Sequence, residues 1–249
     1  MVKIIDLSVP LTTRAKHLRN IKIESIDHKT FQKMRATELG LKDGDFPDWG
    51  YCATDKLTLS THDGTHLDAP WHYAPMSEGR PAKTIDQIPL EWCYGNGVVL
   101  DFHHFEREQP ILTENLEEAL KKISYKLKPA DIVLIRTDGT KHWLEEGYKD
   151  MGAGLTGEST LWLIDQGVKV MGIDSWTWDQ PFDVMLTRGK PERFLEAHKL
   201  GYKKEYCHIE SMANFDKLPT PFGFKVAAFP IKIEGGSGAW VRAVAIYEK

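Results

Sequence analysis

The chain has 249 residues, 41% hydrophobic and 27% charged, which suits a folded enzyme with a sizeable core and excludes a disordered or fibrous chain. Its net charge of -4, with Lys and Arg dispersed along the sequence, excludes a basic footprint for nucleic acid or an anionic membrane. No stretch approaches ~18 consecutive apolar residues and no linker or repeat divides the chain, so one domain over residues 1–249 is expected.

The opening MVKIIDLSVP carries one Lys and an apolar run too short for a secretion signal, so a cytoplasmic protein is expected. Its IIDLSV segment (4–9) reads as a strand. Further strands are read at KLTLS (56–60), GVVLDF (97–102), DIVLIRT (131–137), VKVMGID (168–174), FKVAAFPIKI (224–233) and WVRAVAIY (240–247). Several are β-branched and nearly continuous, as strands covered on both faces are. Between them, Leu112, Leu116, Ala119, Leu120 and Ile123 keep a helical stripe that starts at Thr113 or just before it. A second helix runs from Thr156 through Leu161, Trp162 and Ile164 to a stop at Gly167. A third begins at Pro191 and carries Phe194, Leu195 and His198 toward Gly201. The fold class is therefore α/β, a mixed sheet with few helices.

Some features lead nowhere. Cys52, Cys93 and Cys207 are odd in number and far apart, and suggest neither disulfides nor a zinc knuckle. GAGLTG (152–157) spells a dinucleotide fingerprint but follows no strand, so it reads as a loop and helix start. EGGSGAW (234–240) lacks the ending of a phosphate loop and reads as a tight turn between the last two strands.

The stretch that carries chemistry is HDGTHLDAPWH, residues 62 to 72. Imidazole and carboxylate are good ligands for zinc, manganese or ferrous iron, and two histidines with one carboxylate leave an open, catalytic position. Gly64 and Pro70 oppose a helix here. In extended form His62, His66, Asp68 and His72 share one side, but a straight strand separates His62 from His66 by about 13 Å, too far to share an ion. Gly64 permits the bend that closes this gap. The competing reading is a solvated turn at Asp63-Gly64 with incidental histidines.

HDGTHLDAPWH also resembles the HxGTHxDxPxH signature of the cyclase-like metal-dependent hydrolases, the family that contains bacterial kynurenine formamidase and isatin hydrolase; all its specified positions match. IIDLS, IPLEWCYGNGVVLD, KPADIVLIRTDG, GLTGESTLWLIDQGVKVMGID, HIESMANFDKLP and FPIKIEGGSGAWVRAVAI are similar to family segments in family order. The resemblance implies a swivelling β/β/α fold, a homodimer or homotetramer, and a small-molecule substrate. It implies that His62, His66 and Asp68 bind a catalytic Zn or Mn ion while His72 stays free to accept or donate a proton. It further implies that His198 and Glu210, with Asp68, hold a second metal, so one or two ions per chain are expected.

The implied chemistry is hydrolysis of a cyclic or aromatic amide, lactam or lactone, or ring closure by the reverse steps. Trp176, Trp178 and Gln180, in DSWTWDQPF (174–182), are candidate substrate contacts, with core or interface tryptophans as the competing reading. This segment departs from the formamidase pattern, which leaves an arylformamidase acting on N-formylkynurenine as an alternative. A second alternative is a non-haem Fe(II) oxygenase built on His66, Asp68 and His198, although no Arg follows between Arg193 and Arg242 to hold a 2-oxoglutarate carboxylate.

Overall fold

Alternate residues of one central strand sort the core into two compartments. In the computed structural model, which describes residues 1–18, 21–187 and 193–248, β8 (Ile132–Arg136) sends Ile132 and Leu134 to one cluster and Val133 and Ile135 to another. Both faces of this strand are dry, which is why its sequence is a continuous apolar run. The same division holds in β7 (Tyr94–Asp101) and β9 (Val170–Ile173), where Val99 and Val170 face one cluster and Val98, Leu100, Met171 and Ile173 face the other.

These strands lie in a nine-stranded mixed sheet. Its remaining members are β1 (Val2–Asp6), β4 (His66–Asp68), β10 (Cys207–Glu210), β11 (Phe222–Ala227), β12 (Gly238–Trp240) and β13 (Val244–Glu248), in the order β1-β13-β11-β7-β8-β9-β10-β4-β12. The run β7-β8-β9-β10 is parallel and the outer pairs are antiparallel. Links between the two ends show that the sheet curls. Val9 N, shortly after β1, donates to Thr65 Oγ1, beside β4, at 2.9 Å, and Ala213 N, shortly after β10, donates to Leu7 O at 2.9 Å. The first cluster fills the inside of this curl.

The outside is covered by α3 (Thr113–Lys122), through Leu116 and Leu120, and by α4 (Gly157–Asp165), through Leu163 and Ile164. Both begin close to where the sequence places them. Thr156 Oγ1 accepts from Ser159 N at 3.1 Å as the α4 cap, and Gly167 ends that segment with a φ of +89°.

Several elements differ from the sequence reading. The strand read at KLTLS (56–60) is seen as β3 (Thr54–Thr58), but its antiparallel partner β2 (Lys22–Ile26) and the helix between them, α1 (His28–Leu39), are unannounced, because α1 buries only Gln32 and Ala36 and has no apolar stripe. The third helix was expected from Pro191, which lies outside the described residues. The helix seen there, after the short α5 (Phe182–Thr187), is α6 (Glu196–Leu200), and Leu195 before it has a φ of +52°, so helix does not run continuously through Phe194. WVRAVAIY is not one strand: Gly238–Trp240 pairs with β4 and Val244–Glu248 pairs with β1 and β11, at opposite ends of the sheet. EGGSGAW therefore leads into β12 and does not join two neighbouring strands. No helix among the described residues is long and apolar enough to cross a membrane.

Leu134 is fully buried inside the curl. Leu134→Ala is expected to lower unfolding stability by about 3 kcal/mol, read as a fall in the urea midpoint at unchanged slope.

Candidate metal centre

Strands β4 and β10 pair antiparallel with His208 opposite Asp68 and Glu210 opposite His66. Because side chains alternate, Leu67 and Ile209 enter the inner core, and the four polar residues share the other face. All four are buried, Asp68 and His208 completely. Two carboxylates and two imidazoles thus sit buried together on one face of two short strands.

The rest of the opening motif bends over this face. Asp63 is a turn residue, its carboxylate accepting from Ser60 N at 2.8 Å. Gly64 adopts a φ of +72°, a left-handed conformation that favours glycine, and a Cβ there would also have to displace the Leu11 Cδ2 methyl, 2.5 Å away. The bend brings His62 Nδ1 to 2.7 Å from Asp68 Oδ1. His66 Nε2 approaches the same oxygen at 3.2 Å and Glu210 Oε2 at 3.7 Å. Pro70 opens the single turn α2 (Pro70–Tyr73), which carries His72 Nε2 to 3.8 Å from Asp68 Oδ2. His198, on α6, places Nε2 3.9 Å from both Asp68 Oδ2 and Glu210 Oε1. All six residues singled out for a metal or its proton chemistry converge around Asp68.

Their supports suit an ion. A ligating imidazole needs a partner on its second nitrogen to hold its orientation. His66 Nδ1 donates to Gly64 O at 2.8 Å and His198 Nδ1 to Asp179 Oδ2 at 2.6 Å, while His62 Nε2 meets Ser237 Oγ at 2.9 Å. In each case the other ring nitrogen faces Asp68. Glu210 Oε1 is fixed by Trp178 N at 2.8 Å. The donor set, imidazole nitrogen and carboxylate oxygen, fits zinc, manganese or iron.

Electrostatics point the same way. Burial opposes the charge on Asp68, but His66, His208 and His62 outweigh it and hold its carboxyl well below the usual range. Glu210 is lowered too, burial again opposing and the His208 hydrogen bond favouring its charge. Burial disfavours protonated His208, yet its bonds to both carboxylates push its pKa up to about 9. His72 goes the other way: burial, with the rings of His62 and His198, brings it down to about 4 against the pull of Asp68. Two buried anions gather cations, and His72, a third exposed, is left neutral.

The candidate substrate contacts lie elsewhere. Trp178 is completely buried, donates Nε1–H to Thr160 Oγ1 at 2.9 Å and stacks on His208 at 5.8 Å. It forms the back wall of the site and presents no face to a substrate. Gln180 donates Nε2–H to Glu108 O at 3.2 Å and lines a separate pocket with Pro110, Thr156 and Glu196. Trp176 is half-buried, edge-on to Phe182 at 5.1 Å and packed against Ala15, Trp143 and Tyr148.

Three residues of the site escaped the sequence reading. His208 stands two before Glu210, and alternation in HIE was the signal available for it. Ser237 and Gly238 come from EGGSGAW, set aside as a turn. Gly238 pairs with Asp68 across β12 and β4, and a Cβ there would lie 2.7 Å from His62 Cε1, in the space through which His62 reaches Asp68.

The class is thus an α/β fold with a curled mixed sheet and a buried histidine–carboxylate cluster that could hold a metal ion. Residues 5–180 match the family model described as Putative cyclase, and the chain belongs to that family. It is 27% identical over 221 residues to the isatin hydrolase of Roseibium aggregatum, covering 83% of this chain and 78% of that one. It is 28% identical over 190 residues to the kynurenine formamidase of Erythrobacter litoralis, covering 76% and 74%. Among solved structures, an isatin hydrolase bound to the product analogue thioisatinate superposes with a TM-score of 0.79 at 21% identity, over 100% of this chain and 93% of that one. A predicted metal-dependent hydrolase from Bacillus stearothermophilus superposes with a TM-score of 0.66 at 18% identity, over 100% of both chains.

Gly238→Ala is expected to push His62 off Asp68 and weaken divalent-metal affinity by ~10-fold or more, with little change in melting temperature. Calorimetric titration that finds the affinity unaltered would remove His62 from the ion site.

Proposed function

We propose that the chain is a metal-dependent hydrolase that cleaves a cyclic or aromatic amide, a lactam or a related lactone. The observation that carries this reading is the convergence of His62, His66, His72, His198 and Glu210 on the buried carboxylate of Asp68. His62, His66 and Asp68 would hold a Zn or Mn ion. A divalent ion there supplies Lewis acidity toward a carbonyl and lowers the pKa of a bound water toward ~7.

His72 handles the proton. It is the most exposed of the four histidines nearest Asp68 on the solvent side, its ring lies 4.1 Å from that of His62, and with a pKa near 4 it is neutral at pH 7. A neutral imidazole can take a proton from the attacking water and return it to the leaving nitrogen or oxygen. Asp68 and Glu210 keep their charge and do no proton transfer.

The names of the relatives, isatin hydrolase and kynurenine formamidase, support an aryl amide or lactam over an aliphatic ester, with N-formylkynurenine as the alternative substrate. The iron-oxygenase reading is weaker, because the relatives carry the names of hydrolases and no Arg lies between Arg193 and Arg242 to hold a 2-oxoglutarate carboxylate. A homodimer or homotetramer is part of the proposal, as the family resemblance implies.

Chelation is expected to abolish hydrolysis of isatin-type lactams and aryl formamides, and Zn or Mn to restore it. His72→Ala is expected to lower kcat by about 10²- to 10⁴-fold with metal content retained. Steady-state rates on the same panel check both, and full turnover by His72→Ala would refute the proton role.

A further inference from the structure

Outside the metal centre, one imidazole is enclosed without being satisfied. The His17 ring fits the corner made by Trp143 and Tyr148, steeply inclined to the indole at 4.6 Å and tilted on the phenol at 4.8 Å. Those two rings stand at 79° to each other with their centres 5.3 Å apart. Both are buried, with Val9, Leu18 and Trp176 packed around them. Both nitrogens of His17 are shielded and neither meets a hydrogen-bond partner among the described residues; the Glu145 backbone comes near without closing one. A neutral imidazole carries one donor and one acceptor. In this corner both stay idle, a cost that water would remove.

The corner adjoins the metal centre. Tyr148 Oη donates to Ser211 Oγ at 3.0 Å, one residue after Glu210. Trp143 Nε1 donates to Pro10 O at 3.2 Å, and on either side of Pro10 the chain follows the bend of the metal motif: Val9 N donates to Thr65 Oγ1 at 2.9 Å and Leu11 packs at Gly64. The segment Thr12–Leu18, which carries His17 in, is lightly held. Its backbone hydrogen bonds, Ala15 N to Thr12 O at 3.3 Å and Leu18 N to Ala15 O at 3.1 Å, close within the segment. Thr13, Arg14 and Lys16 are exposed, and Ala15 alone is fully buried.

Two aromatic faces set nearly at right angles suit a flat ring, by stacking on one and meeting the edge of the other. We infer that Trp143 and Tyr148 form a subsite for the aromatic ring of the substrate, and that His17 fills it when substrate is absent and swings out as the ring enters. This rests on the hydrolase reading for its substrate class, a flat aryl amide or lactam. His17 is then a specificity-determining residue. The apparent affinity of a ligand scales with the fraction of molecules whose corner is open, so only a ring that packs better than the imidazole displaces it.

Two substitutions at His17 push in opposite directions. His17→Ala empties the corner, and His17→Phe fills it with a ring that leaves no polar atom idle. For aryl amides or lactams, KM is expected to fall about 5-fold in His17→Ala and to rise about 5-fold in His17→Phe, with kcat within ~2-fold of wild type. Calorimetric titration of the zinc-loaded proteins with indole, a flat ring with no bond to hydrolyse, is expected to give the same order of affinity. A KM that rises in both variants, or an indole affinity that both leave unchanged, would overturn the inference with the hydrolase reading intact. If no aryl amide or lactam is turned over while indole still binds in the order Ala, His, Phe, the hydrolase reading falls and the ring subsite stands.

Discussion

The antiparallel register between β4 and β10 is the constraint on which the rest of the site depends. His208 opposite Asp68 and Glu210 opposite His66 concentrate ionisable groups on one dry face, and a slip of one residue would turn them into the inner core and Leu67 and Ile209 out of it. Two strands of three and four residues cannot hold such a register by themselves. They are clamped by β9 on one side and β12 on the other, with Ala69 N on Ser237 O and Val241 N on Thr65 O, at 2.9 and 3.0 Å, extending the ladder past the ends of β4. Burying two carboxylates there is tolerable only because histidines surround them: both Asp68 oxygens and Glu210 Oε1 are hydrogen-bonded, and Glu210 Oε2 lies 3.7 Å from His66 Nε2.

Around this pair, the loops that deliver the other histidines depend on close backbone packing. His198 is aimed by Asp179, whose other oxygen accepts from Ala197 N at 2.8 Å. The Asp179 loop in turn lies against Gly154, where a Cβ would stand 2.2 Å from the Asp179 carbonyl. The glycines of GAGLTG therefore serve the site after all, by letting a loop approach, in a role that has nothing to do with phosphate. EGGSGAW is similar: its Gly238 makes room for His62 and its Ser237 orients the ring. GAGLTG spells a nucleotide loop only because close backbone approach is a need that many sites share.

How much could be read from the residues varies with the element. Strands β7, β8 and β9 and helices α3 and α4 bury apolar side chains in regular periods, so their patterns announce them. The bend at Gly64 was legible from spacing alone, since a straight strand could not bring His62 and His66 to one carboxylate. By contrast, β4 and β10 are short and half polar and α1 is mostly exposed, so propensity and periodicity had nothing to report. The two tryptophans of DSWTWDQPF looked alike in sequence; one backs the site from the core and the other packs against a different cluster.

The amino-acid sequence by itself determined the class of fold, the chemistry of the donors and the local turn that lets HDGTHLDAPWH fold back on itself. Those properties depend on residues within a dozen positions of one another, where spacing translates into distance. Only the tertiary structure decided that His208 stands between Asp68 and Glu210, that Ser237 and Gly238 complete the His62 side, and that Trp178 and Gln180 face away from solvent at the site. These depend on contacts between segments distant in the chain, from Trp178 with Thr160 to His62 with Ser237, and on which nitrogen of a ring finds a partner. Neither is written in any local pattern, because both are set by which strand the curl of the sheet brings alongside.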